Sequence, residues 1–231
     1  MNTISKTSRV LGVAFLLQFV TSFLSGSFLS QMWNVSGNIS ETMANIAAKP
    51  WLFELNILVD MLTAFGVVFL GAALFITLQK HNKTMALVAL GFYIVEGGLL
   101  AASKLSAYSL LLISQEYTAA GQPATLQTMA DLALQSMNFV GNTLHVMSFG
   151  CGAILFYILL YRSGVVPRPL SLWGPITVIP VLAGMITSLF GYVLPFILFV
   201  PYVPFEFVIA IWILIKGVKV EADINPSPAT S

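Results

Sequence analysis

The chain has 231 residues, of which 58% are hydrophobic and only 8% charged, and its mean hydropathy is +0.90; soluble domains usually carry about 25% charged residues. An ordinary soluble domain is thereby excluded in favour of an integral membrane protein, and a net charge of +1 gives no pull toward nucleic acid. The single cysteine, Cys151, excludes an intrachain disulfide and reads as packing in an apolar, glycine-rich stretch.

Six apolar segments, at about residues 10–30, 51–79, 84–114, 137–161, 170–190 and 196–216, reach the length of about 20 residues that a helix needs to cross a bilayer. The fold class is all-α: a polytopic membrane protein with six transmembrane helices in one bundle over residues 1–219. The first segment follows Lys6 and Arg9 and is longer than a signal peptide's apolar core, so a retained helix is expected. Gln18, Thr21, Ser22 and Ser25 recur at helical spacing and give it one polar face. Residues 31–50 read as a polar loop.

In the second segment Asn56, Asp60 and Thr63 share a face that Ala64, Val67 and Gly71 continue with small residues. Trp33 and Trp51 stand where interfacial tryptophans sit. A short basic turn, Lys80 to Lys83, leads to the third segment, Thr84 to Ser114, which carries Glu96 and Lys104. An acidic side chain at mid-bilayer costs about 2.5–3.5 kcal/mol on insertion scales, so Glu96 is expected to face other protein, water or a ligand, whereas Lys104 has the alternative of snorkelling to the surface. The polar stretch 115–136 comes next, expected to be partly helical.

The fourth segment bears a stripe of Asn138, Gly141, Asn142, His145, Ser148 and Gly152. A turn containing Pro167 and Pro169 precedes the fifth, which holds Pro175 and Pro180 and is expected to kink. The sixth carries Glu206 and ends at Lys216, and the tail 220–231 has the composition of a disordered cytoplasmic segment.

Assigning the connections alternately puts Lys6, Arg9, Lys80, Lys83, Arg162, Arg168, Lys216 and Lys219 on one side and only Lys49 on the other. The positive-inside rule makes the first side cytoplasmic, with both termini inside.

At about 1.5 Å per residue, Asp60, Lys104 and His145 lie roughly 5–10 Å below the outer surface and Glu96 and Glu206 near the midplane. The natural arrangement is a bundle with a polar interior opening outward. Glu96 and Lys104, eight residues apart on one helix, stand about 12 Å apart and cannot pair. Lys104 is expected to meet Asp60 and His145, and Glu96 to face Glu206, where an uncompensated carboxylate would hold a proton or bind a cation. Gln18 and Asn142 complete this candidate binding cluster. Ion pairs and amide hydrogen bonds also fix helix packing, so a structural role for the same residues stands beside the binding one.

Enzyme motifs are lacking. Two histidines, His81 and His145, cannot build a multi-histidine metal site, and no G-x-S-x-G, P-loop, H-E-x-x-H or C-x-x-C occurs. No cofactor is expected. The partners expected are the lipid bilayer and a small solute, proton or cation, with no nucleic acid and no signal for an oligomer.

The run from Phe149-Gly150-Cys151 to Tyr161-Arg162-Ser163-Gly164-Val165-Val166-Pro167-Arg168, then Phe205-Glu206 and Trp212 to Val218, resembles the bacterial membrane family called domain of unknown function 4386 (DUF4386). Val59-Asp60 and Val95-Glu96 fall where that family's buried acids are expected. The resemblance implies a multi-pass protein of the bacterial cytoplasmic (inner) membrane and carries no activity with it. Small-solute or cation handling through an outward-facing cavity is the function expected from the residues. A non-transporting accessory or sensor protein is the alternative, and an intramembrane enzyme using His145 the remotest reading.

Overall fold

The computed structural model describes residues 6–192 and 194–218, and the tail expected to be disordered lies outside them. The described residues are helical, with no strand among them. Helix α1, Lys6–Phe23, continues through a π-helical turn, Leu24–Leu29, and a 3-10 turn, Ser30–Met32, as one apolar rod of 27 residues.

The stretch expected to be a polar loop is in fact mostly helical. Helix α2, Ile39–Ala48, starts at Asn38, whose side chain accepts from the Glu41 N–H (3.1 Å) while its amide donates to the Glu41 carboxylate (3.0 Å). The first contact satisfies a backbone N–H that the helix start would otherwise leave to water, and the second holds the Asn38 side chain in place to accept it. Met43 and Ile46, three apart, are fully buried and join Trp33, Phe53, Leu110, Tyr117 and Met137 in one apolar cluster. Burial of that face, and not overall apolarity, makes the helix stable.

Helix α3, Pro50–Leu78, begins on a proline, which costs no hydrogen bond at a first helical position. Helix α4, Lys83–Ala119, has 37 residues and hence about 55 Å of length, well beyond a hydrocarbon core of about 30 Å. Its last turns enter the cluster that covers α2. Gly121 and Gln122, both at positive φ, then reverse the chain into α5, Ala124–Asn138. A second π-helical turn, Phe139–Leu144, joins α5 without a break to α6, His145–Ser163. The stretch at 115–136 is therefore helical except for its reversal.

Helix α7, Arg168–Ser188, starts after Pro167 and runs through Pro175 and Pro180. Helix α8, Tyr202–Lys216, is shorter than the expected 196–216: residues 196–198 form a 3-10 turn, and Pro201 and Pro204 flank the helix start, where the missing N–H of a proline costs no intrahelical hydrogen bond. Its 15 residues cover about 22 Å. Five helical rods, Lys6–Met32, Pro50–Leu78, Lys83–Ala119, Ala124–Ser163 and Arg168–Ser188, are long and apolar enough to cross a membrane.

The chain divides into two compact units. Of the described residues, those in 6–17, 68–94 and 147–218 form unit 1 and those in 18–67 and 95–146 form unit 2, so that α3 and α4 contribute to both. Unit 1 is packed by rings against glycines. A Cβ added at Gly71 or Gly152 would lie 2.8 or 2.7 Å from Tyr93, and one at Gly174 would lie 2.7 Å from Tyr157 and 2.8 Å from Phe205. Tyr93 meets Phe156 edge-on at 5.2 Å, and Tyr157 meets Phe205 at 5.0 Å. Such contacts need a backbone without a side chain opposite the ring.

Candidate functional site

Unit 2 contains a cavity of about 320 Å³, at the small end of the roughly 300–1,000 Å³ typical of small-molecule sites. Its walls come from the π-helical turn after α1, from α3 and α4, and from the π-helical turn before α6. Asp60 and Lys104 stand in the wall and pair directly, Nζ to Oδ2 at 2.5 Å. Their side chains are 18% and 12% exposed, so the pair is sheltered but not dry. Removing water strengthens the attraction and raises the cost of leaving either charge alone.

A hydrogen-bond chain holds the carboxylate in place. Trp33 Nε1 donates to Asn56 Oδ1 (2.8 Å), Asn56 Nδ2 donates to Ser25 Oγ (2.7 Å), and the Ser25 hydroxyl donates to Asp60 Oδ1. Each donor in the series is fixed by the preceding contact, and Trp33 is itself pinned edge-on to Phe53 at 4.7 Å. Asn56 and Asp60 lie four residues apart on one face of α3 and thus turn toward the same neighbours. The chain makes Asp60 an oriented acceptor and leaves the Lys104 ammonium two further N–H groups.

Both π-helical turns border the cavity, with Ser25 and Gly26 on one and Gly141 and Asn142 on the other. The Ser30 N–H bonds to Ser25 O, and the His145 N–H bonds to Val140 O, five residues back in each case. This winding is rare, well under 1% of residues, and recurs at functional sites because it widens a turn and shifts the side chains beyond it. Gly141 lets α4 approach: an added Cβ would stand 2.8 Å from Ser103 Oγ. Gly26, by contrast, borders open space, with no atom within 4 Å of an added Cβ.

The seven residues singled out from the sequence divide among distinct environments. Asp60, Lys104, His145 and Asn142 line the cavity. The His145 imidazole lies within electrostatic range of Asp60 and Lys104 and against the Gly141 backbone one turn earlier, and its Nδ1 is buried. Asn142 Nδ2 donates to Asn138 Oδ1 (3.1 Å). Gln18 and Glu96 belong to the same unit and are buried, but neither is in the lining.

Glu206 belongs to unit 1, where it accepts from the Tyr202 hydroxyl (2.6 Å), one turn earlier on α8. The Tyr202 oxygen is in turn 3.0 Å from that of Tyr157. Glu96 belongs to unit 2 and Glu206 to unit 1, and the group that answers Glu206 is the Tyr202 hydroxyl. Trp33 is a member of the site that sequence reasoning misses, because its position suggests a membrane-interface anchor. Among the described residues no three His, Cys, Asp or Glu side chains group closely enough to hold a metal ion.

The family model described as domain of unknown function 4386 matches residues 10–217. The chain belongs to that family. No curated protein and no solved structure matches it.

Proposed function

We propose that this DUF4386 member is a six-span membrane protein that takes a small polar solute into the unit 2 cavity from the outer face. The observation that carries the reading is a polar-walled cavity of about 320 Å³ containing a full ion pair in a chain otherwise built of apolar helices. Intramembrane charges of this kind, beside a water-sized or larger space, mark ligand pathways.

Charge segregation supports the orientation. The cavity residues of α3 and α4 lie toward the chain ends joined by residues 31–50 and 115–136, where Lys49 is the one basic residue, whereas eight lie at the opposite connections and termini. The sixth span is α8 with the turn before it, ended by Lys216.

Proteoliposomes loaded with a mixture of small polar solutes provide the test. Wild type should release at least one solute faster than protein-free vesicles, and Gly26→Trp and Asn142→Trp, which put bulk into the cavity wall, should return to the protein-free rate. Equal release by wild type and both variants contradicts the reading.

A second reading, a non-transporting accessory or sensor protein, draws on the Trp33–Asn56–Ser25–Asp60 chain, which serves helix packing whether or not a ligand enters. It predicts no solute flux and a loss of folded yield on cutting that chain.

A further inference from the structure

We infer that the junction of α1 and α8 in unit 1 binds an anionic phospholipid, its phosphate held by Lys6, Arg9 and Lys216 and its acyl chains laid on the apolar face that leads away from them. This site is independent of the cavity and of what enters it.

The junction joins residues 210 apart in the chain: the Val218 N–H donates to Ser8 Oγ (3.0 Å). A second contact lies further along, where an added Cβ at Gly12 would stand 2.7 Å from Leu214. Between the two contacts the register moves forward on α1 and back on α8 by the same number of residues, so the helices run antiparallel and in step. Lys216 is thereby level with Val10 and next to Arg9, with Lys6 one turn earlier on α1. Axes of packed helices lie about 8–10 Å apart, so one phosphate between them is within reach of long side chains from both.

The three cations are exposed, and none makes a hydrogen bond or ion pair among the described residues. The one acid of unit 1 among those residues, Glu206, is about 15 Å along α8 from Lys216. Like charges gathered at one level repel, and an anion between them relieves that cost. Phosphate suits the forked donors of an arginine and the point charge of a lysine.

The surface beside the cations selects a lipid over a soluble anion. Lys6, Arg9, Val10, Val13 and Leu17 share one face of α1 at helical spacing, and Val10, Val13 and Leu17 are exposed on it. Ile215, next to Lys216, is also exposed. Cations followed by bare hydrocarbon match the order of a headgroup followed by its chains. Charge segregation across the membrane requires only that cations stand on one side. It does not require two ends of the chain to be tied together at the head of an apolar face.

Full-length protein in neutral detergent micelles, titrated with phosphatidylglycerol or phosphatidylcholine and read by native mass spectrometry, tests the site. The first phosphatidylglycerol should bind about 100-fold more tightly than phosphatidylcholine, at about fivefold for each cation near the headgroup. Arg9→Gln and Lys216→Gln should each weaken it about fivefold, and the two together about 25-fold. Lys83→Gln with Arg168→Gln removes the same charge from unit 1 away from the junction and should leave the affinity unchanged. The single variants carry the test where a double variant folds poorly. Equal affinity for the two lipids overturns the site. Equal weakening by the two double variants overturns it in favour of attraction to the basic side as a whole. Displacement of the bound lipid by an equal concentration of glycerophosphate overturns the lipid in favour of a soluble phosphate.

Discussion

The two units hide a carboxylate from lipid in opposite ways. In unit 1, Glu206 is answered by a hydroxyl, that of Tyr202, with Tyr157 behind it. Its rings press on glycine backbones at Gly71, Gly152 and Gly174, where an added Cβ would overlap. In unit 2, Asp60 is answered by a full positive charge and placed beside an open space, and Gly26 borders that space with no atom within reach. A filled region built on ring and glycine contacts has little room for a ligand, whereas a region that keeps a cavity next to its charges is spending stability on something other than packing.

The comparison is broken most severely by removing the counter-charge. Lys104→Met leaves Asp60 uncompensated and should destabilise the fold by about 3 kcal/mol, the low end for a buried pair because water reaches this one. Denaturant titration in micelles measures it, and Asp60→Asn in the Lys104→Met background should recover much of the loss. Next, Tyr202→Phe should cost about 1–3 kcal/mol by taking the donor from Glu206. A third change sets glycine against glycine: Gly174→Ala should cost about 1–3 kcal/mol through overlap with Tyr157 and Phe205. Gly26→Ala should change stability by no more than about 0.5 kcal/mol, since its new methyl group meets nothing. Similar costs for Gly174→Ala and Gly26→Ala would erase the contrast between the units.

Several features are legible in the chain for physical reasons. An apolar segment of about 20 residues has few alternatives to a helix, and a charge within it demands a partner at its own depth. Depth counting alone matches Asp60 with Lys104. Helix α2 has its own signal, Asn38 three residues before Glu41 and then Met43 and Ile46 at helical spacing, but the polar residues of 31–50 outweigh it.

The pairing of Glu206 with Tyr202 is equally open to reading, being an i, i+4 contact on one helix. Matching acids by depth across helices overlooks it, since the partner lies along the same helix. The two π-helical turns are not legible, because one extra residue in a turn leaves an apolar pattern of period 3.6 almost unchanged. Yet those turns place Ser25 and Asn142 on the cavity wall.

The central claim is that the Asp60–Lys104 cavity opens to the outer side. Cys151 is the one cysteine of the chain, so a Cys151→Ala background carrying Asn142→Cys presents a single thiol at the cavity wall. A charged, membrane-impermeant thiol reagent applied to the outer face of intact cells should label that thiol, and Gly26→Trp in the same background should slow the labelling. Absence of labelling from the outer face, with full labelling once the cytoplasmic face is exposed, would contradict the account.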